Sequence, residues 1–458
     1  MEVLESDFET SSSARVLVVG DSDTDAQSLA AALEGFGLDA LGVTISASAG
    51  SAAGVRRVDA IVFNRLNVAP AALSRLATEL KTRARPRPLV LAAISGRLDP
   101  AEPPPGVDAV IAPPAHPAQV AARLRLMLRL AVMEDEARLR AGTLATRGVT
   151  VTLGLDNPPR AKVNVLYVGD ASPTFLGLAS ALSELGATVA AAFTTFTAFD
   201  FLHERDFDAV VVNALDKVDT AYTICTALRR NTRLFHTPAA LLLDHDSFDA
   251  TDTAFEKGVS ELLPVEAAST DLARRVMSLA RERQRRVLIK SAFSQIRAPE
   301  VIDLVSGLAT SSFFFDHLDA MARHAQRLER PLSVVVARAH TPETAQPAER
   351  DLALRQIGSM MARLIRAEDF AAELEPGVFA IAMPGARRAS AEGAAHRIAS
   401  IAECTAFGGG PMAEAFQAEL RCEVGELARD ERARALMART IKAFERGAPF
   451  EKAKNAAG

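Results

Sequence analysis

The chain is poor in cysteine. Cys225, Cys404 and Cys422 lie far apart, with no CxxC and no Cys/His cluster at metal-ligand spacing. That excludes a disulfide framework and a structural zinc site. Long hydrophobic runs are missing too, since no apolar stretch reaches the ~18–20 residues that a membrane-spanning helix needs. Positive charge is not in excess: 52 Lys and Arg stand against 57 Asp and Glu, a formal charge of −5. This argues against a nucleic-acid partner, whose phosphates call for a basic groove. The opening MEVLESDFETSSS is acidic and polar, the reverse of a signal peptide's basic and apolar regions. What is present is an ordinary globular composition, 49% hydrophobic and 24% charged over 458 residues. That length suggests about three domains of roughly 150 residues each. The expectation is a soluble cytoplasmic protein with several cores.

Internal repetition is the most informative feature. RVLVVGD, ending at Asp21, recurs as NVLYVGD, ending at Asp170, and VDAIVFNRL around Asn64 recurs as FDAVVVNAL around Asn213. Both pairs have one offset, since 170 − 21 and 213 − 64 each give 149 residues. DAVIAPPAHP and SELLPVEA, carrying Pro113 and Pro264, follow near the end of each copy. Within a copy, short β-branched runs alternate with Ala/Leu-rich helical stretches such as Ala26–Leu33 and Phe175–Leu185. Runs of four to six apolar residues suit strands covered on both faces. Each copy therefore reads as a doubly wound parallel sheet, with Asp21, Asn64, Asp170 and Asn213 at carboxyl ends of strands.

Both copies close in long helices, Val120–Arg140 and Asp271–Ile296, the first with a Leu/Met/Val stripe. Such a stripe packs on its own sheet or on a partner's equivalent helix. The basic run RERQRR in the second helix reads as a solvated face. The organisation expected is a disordered 1–13, a first unit over 14–140, a linker over 141–161, a second unit over 162–297, an unrelated third over 298–450 and a tail over 451–458. The third unit is read as two helices, a strand (Leu332–Ala337), a helix (Asp351–Arg366), a hairpin (Phe370–Leu374 and Phe379–Met383) and a helix (Ala389–Glu403) before a weaker C-terminal part.

The repeated units resemble the receiver domains of two-component response regulators. That family holds Mg²⁺ with an acidic pair after the first strand and phosphorylates an Asp after the third. A Ser or Thr and a Lys complete the site. Such chemistry needs carboxylate oxygens for a hard cation and a positive charge for the phosphoryl group. On this chain the acidic pair becomes Gly20–Asp21 and Gly169–Asp170, and the phosphoacceptor becomes Asn64 and Asn213. The hydroxyl position falls at or near Ala92 and Leu243, and the Lys at Pro113 and Pro264. An amide cannot form an acyl phosphate, so the resemblance implies scaffolding or docking rather than phosphorylation.

The third unit resembles a GGDEF domain, the fold of diguanylate cyclases, through DLVSGLATSSFF (from Asp303), PLSVVVARAH (from Pro331) and LIRAEDFAAELEPGVFAIAMP (from Leu364). The domain order is that of PleD-type regulators. Two metal-binding carboxylates of that family align with Arg338 and His340, and its signature loop reads Glu375-Pro376-Gly377-Val378-Phe379. A cation in a Mg²⁺ position repels the metal that two-metal chemistry requires, whereas Pro-Gly still makes a turn. The expectation is therefore a degenerate diguanylate cyclase homologue with no catalytic residues and no bound metal.

The family's RxxD inhibition motif is present as Arg366-Ala367-Glu368-Asp369, and Arg397 lies 18 residues past Phe379, where a further arginine belongs. RxxD alone is weak: Arg56/Asp59 and Arg205/Asp208 also match it, and Arg and Asp three apart often form a surface pair. Its position before the hairpin raises its weight. The resemblance implies that Arg366, Asp369 and Arg397 hold an intercalated dimer of cyclic di-GMP through bidentate guanidinium contacts, with Arg323 or His324 as a weaker fourth contact. Ser172–Thr174 stand where relatives place a clamping arginine. Over residues ~14–450 the chain resembles PopA-like effectors. These imply a homodimer recruited to a cell pole, which acts as an adaptor with RcdA-type partners and delivers a CtrA-type regulator to the ClpXP protease. The alternatives are a ligand-independent scaffold, a residual cyclase and a phosphorylated regulator.

Overall fold

The computed structural model describes residues 14–44, 58–85, 88–155, 161–215, 217–244, 252–303, 305–342, 344–408 and 415–446. The stretches 1–13 and 451–458 that the sequence sets apart lie outside them, as does Arg56.

The first repeat is built from β1 (Arg15–Gly20), α1 (Asp23–Gly35), β2 (Asp39–Thr44), β3 (Ala60–Asn64), α2 (Pro70–Ala84), β4 (Val90–Ile94) and β5 (Ala109–Ile111). A long helix, α3 (Pro117–Thr146), closes it. The strands pair in parallel in the order β2-β1-β3-β4-β5, the flavodoxin-like winding. Helices cover both faces, so both side-chain sets of β3 and β4 are buried. Val62, Ala92 and Ile111 pack with α1 and α3, while Ile61, Phe63 and Leu91 pack with α2. Ser22 caps α1 by accepting from the Asp25 N–H. Gly42 lets α1 lie directly on β2, because a Cβ there would come within 2.6 Å of the Ala26 and Gln27 backbone.

The second repeat comprises β6 (Val163–Val168), α4 (Pro173–Glu184), β7 (Ala187–Ala192), α5 (Thr195–Glu204), β8 (Ala209–Asn213), α6 (Val218–Arg230), β9 (Ala239–Leu243), α7 (Asp252–Glu256) and β10 (Glu261–Pro264). It ends in α8 (Ser269–Gln295). Its order β10-β9-β8-β6-β7 is the same winding read from the opposite edge. Ser172 caps α4 and Thr194 caps α5, so Ser172 serves its own helix.

The chain forms two compact units. One holds both sheets, Ser13–Ala131 with Asp156–Leu288; the other joins Val132–Leu155 to Ile289–Gly458. The stripes of α3 and α8 are used inside the chain: Val120, Leu124 and Met127 on the first sheet, Leu272, Val276 and Leu279 on the second. RERQRR is not a solvated face. Arg283 pairs with Asp208 at 3.0 Å, Arg281 donates to the Ala161 carbonyl, and buried Arg286 sits 2.8 Å from His236. The run is basic because carbonyls and one carboxylate beneath it need donors. Arg123 of α3 bonds Glu261 at 3.3 Å and Ser278 at 2.8 Å and contacts Glu282, so a buried polar network joins the two repeats within this unit.

The supposed linker also begins later than the sequence indicates. Helix α3 runs on through Gly142 to Thr146, because Thr143 and Leu144 are buried and hold the helix there.

In the other unit, α9 (Ser311–Leu328) precedes β11 (Leu332–His340), α10 (Pro347–Leu364), β12 (Phe370–Glu375), β13 (Val378–Pro384), α11 (Arg388–Glu403), β16 (Glu419–Glu426) and α12 (Ala433–Glu445). The short strands β14 (Ala406–Phe407) and β15 (Phe416–Gln417) pair separately. Where the sequence suggests two helices at the start, the described residues of 296–310 are irregular and the helix found there is α9. The main sheet is antiparallel in the order β12-β13-β11-β16. Helices α10 and α11 pack on one face through Ile357, Met361, Ala395 and Ile398. Phe313 and Phe314 of α9 meet Phe370 on the other. The apparently weak C-terminal part supplies β16, which pairs with β11 along its whole length.

Candidate functional site

The carboxyl ends of the receiver-like strands carry what the sequence places there. Asn64 is buried and donates to the Asp25 carbonyl at 3.1 Å, while Asp21 accepts from the Asn67 N–H at 2.7 Å. In the second copy Asn213 donates to the Tyr167 hydroxyl at 3.3 Å and accepts from the Leu215 N–H at 3.1 Å. Both amides are thus structural hydrogen-bonding groups. A cavity of about 350 Å³ opens beside Asn213, lined by Asp170, Phe193, Thr194 and Lys217. Lys217, next to the N-terminus of α6, has no counterpart in the sequence reading, and only its place four residues after Asn213 hints at it. An acidic residue cannot return at Gly169: its φ is +144° and a Cβ would meet the Asn213 Cβ at 2.5 Å. Ala92, Leu243 and Ile94 are buried strand residues with no hydroxyl to offer. Among the described residues no three His, Cys, Asp or Glu side chains converge on a common point.

In the other unit, Arg338 and His340 end β11. The Arg338 guanidinium lies 3.5 Å from the Glu375 carboxylate and over the Phe444 ring at 5.5 Å. Pro376-Gly377 turns the hairpin: Gly377 has φ +78°, donates to Glu373 at 2.9 Å, and accepts from the Ala339 N–H at 2.8 Å. Burial lifts the Glu373 carboxyl above its ordinary range, with the Gly377 N–H opposing it and the charge of Asp303 adding to it. The hairpin is therefore closed by Pro376-Gly377, with the Arg338–Glu375 ion pair beside it.

The RxxD segment forms a tight turn between α10 and β12. Asp369 donates its N–H to the Arg366 carbonyl at 3.1 Å, and its buried carboxylate accepts from the Arg366 N–H at 2.9 Å. One carboxylate oxygen is thus used by the turn itself. Arg366 is half-buried, and so is Arg397 on α11. The turn follows α10, and α10 and α11 share one face of the sheet, so the fold brings the carriers of both arginines to that side. Arg323 stands apart on α9, across the sheet from α11, exposed and 2.8 Å from Asp319. His324 is held by Asp135 at 2.6 Å.

Three buried residues near the turn escape sequence reading altogether. Arg140 of α3 donates to the Glu368 carbonyl at 3.2 Å and lies 3.4 Å from the Asp369 carbonyl. Glu136 accepts from Arg140 at 2.8 Å and lies 2.7 Å from His317 Nε2. Burial alone would raise the Glu136 carboxyl. The charges of His317 and Arg140, with the hydrogen bonds they make, outweigh that and hold it below the ordinary range. Apart from the i,i+4 pair Glu136–Arg140, no local pattern marks these residues, because their other partners are more than 170 positions away in sequence.

No protein-family model matches the chain, and no curated protein matches it. Solved structures similar to parts of it include the GGDEF domain of FimX from Pseudomonas aeruginosa, 23% identical, covering 32% of this chain and 92% of that one, TM-score 0.30. Another is the GGDEF domain of DgcB from Caulobacter crescentus in complex with c-di-GMP, 18% identical, covering 34% and 92%, TM-score 0.31. A response regulator from Chloroflexus aurantiacus is 21% identical, covering 26% and 99%, TM-score 0.25. No helix among the described residues is long and apolar enough to cross a membrane. The fold class is two flavodoxin-like, doubly wound parallel sheets followed by an α+β domain with an antiparallel sheet.

Proposed function

We propose that the protein is a catalytically inactive receptor for cyclic di-GMP, which it binds at the turn Arg366–Asp369 with Arg397, and that it acts as an adaptor for protein partners. One observation carries the reading: the RxxD turn is built and buried at Asp369, while Arg338 and Glu375 pair where catalytic carboxylates would face a metal. Two guanidinium groups match the phosphates and guanine edges of the dinucleotide. A micromolar ligand needs about 8 kcal/mol. Three or four charge-assisted hydrogen bonds of ~1.5–3 kcal/mol each, with base stacking, supply that scale. Homodimerisation, recruitment to a cell pole and delivery of a CtrA-type regulator to ClpXP with an RcdA-type partner rest on the likeness in domain order and motif.

Calorimetric titration of cyclic di-GMP into the full chain and into Arg366→Ala tests the site. Binding to the first and its loss, by at least a hundredfold, in the second is the expected result; equal affinity removes the assignment. Incubation with GTP and either Mg²⁺ or Mn²⁺ is expected to form no cyclic di-GMP, and acetyl phosphate to leave Asn64 and Asn213 unlabelled. A second reading, a ligand-independent scaffold, draws on the Asp369 carboxylate already serving its own turn. It predicts no binding at all.

A further inference from the structure

The C-terminal part of α3, from Val132, belongs to the same compact unit as the GGDEF-type domain, although the chain reaches it before the second receiver-like repeat begins. Its seat there is polar. Glu136, Arg140 and His317 are 3%, 9% and 0% exposed. Arg140 donates through Nε and Nη2 to Glu136, at 3.1 and 2.8 Å. Glu136 meets His317 Nε2, and the other ring nitrogen lies 2.9 Å from the Thr143 hydroxyl, two helical turns further along α3. The Arg140 guanidinium is stacked between Phe293 and Phe370, 4.9 and 4.7 Å from the ring centroids. Nη2 also reaches Glu368 O and Asp369 O, at 3.2 and 3.4 Å, the carbonyls of the last two residues of the RxxD turn.

A buried Arg–Glu pair contributes little net stability beyond what apolar residues of that volume would give, because desolvation offsets the attraction. What the pair does here is geometric. A rigid guanidinium has donors in a fixed plane, so holding one carboxylate and two adjacent carbonyls at once fixes the turn relative to the helix. Phe370, the first residue of β12, forms one wall of the same slot. A change in the turn therefore has to be felt at Arg140, and a change in the seat of α3 at the turn.

We propose that Arg140 is a positioning residue for the RxxD turn, so that ligand binding at the turn and docking of residues 132–146 of α3 on the GGDEF-type domain stabilise each other. The inference rests on the reading of Arg366–Asp369 as a cyclic di-GMP site. By linkage the effect is reciprocal: whatever factor the seated helix contributes to affinity, the ligand returns to the helix.

The test uses the full chain and cyclic di-GMP, with affinity from calorimetry and amide hydrogen exchange over 136–146 measured with and without ligand. In the wild type, ligand should slow exchange across 136–146 at least threefold. Arg140→Ala should lower affinity about tenfold and abolish that ligand-dependent slowing. Arg140→Lys keeps the charge but lacks the fork, and should bind less tightly than wild type with the slowing lost. It also decides the matter if the alanine variant does not fold. A merely structural role would change basal exchange in the variants and leave the response to ligand intact, which would overturn the proposal. So would wild-type binding with unchanged exchange over 136–146; both results would leave the site assignment standing. Absence of wild-type binding would overturn both.

Discussion

Cys404, just past the end of α11, is exposed, while the other two thiols are sheltered. Burial pushes Cys225 up to about 11, only partly opposed by the charge of Arg229, and Cys422 up to about 12. Because the thiolate is the reactive form, a maleimide at neutral pH should modify Cys404 first, with Cys225 and Cys422 reacting only on unfolding. Peptide mapping of a limiting-reagent reaction checks this; faster labelling of Cys422 would contradict it. Individual positions of this kind were partly legible beforehand. Asn64 and Asn213 stand at strand ends as the repeat implies. Asp369 was legible as a ligand candidate, but its bond to the Arg366 N–H was not, since that depends on the turn closing.

Among elements, the hairpin β12–β13 is held by its own turn residues. Pro376 and Gly377 supply the turn geometry, and Glu373 braces it by accepting from the Gly377 N–H. Gly377→Ala places a side chain at φ +78° and 3.4 Å from Leu354. The expected cost is about 1–2 kcal/mol, read from chemical denaturation; an unchanged midpoint would mean that the turn relaxes freely. The long helices behaved differently from the hairpin. The stripe on α3 identified an apolar face correctly, yet both packing surfaces were open alternatives until the sheet was seen beneath it. Periodicity reports that a face is covered and says nothing of what covers it.

For the molecule as a whole, the two receiver-like repeats sit in one compact unit with a buried ionic network inside it. Burial lifts the Glu261 carboxyl, and the charges of Arg123 and Arg275 draw it back only in part. Arg123→Ala would leave Glu261 and Glu282 facing each other with one cation fewer. The expected loss is ~3–5 kcal/mol, the usual cost of removing one partner from a buried ion pair. Denaturant unfolding followed by circular dichroism measures it. A loss under ~1 kcal/mol, the scale of an exposed pair, would show that water reaches the network.

The sequence by itself determined the winding of both repeats, their common offset, the side chains that stand at the strand ends, and the hairpin after the RxxD motif. All of these are local: strand periods, turn residues and the chemical identity of single side chains. Tertiary structure alone decided that RERQRR is engaged rather than solvated, that α3 runs on past Arg140, and that Arg140 reaches the turn at Glu368 and Asp369. Those contacts join residues more than 220 positions apart in the last case. Contacts across such a separation leave no period and no spacing in a sequence, because only packing brings their members together.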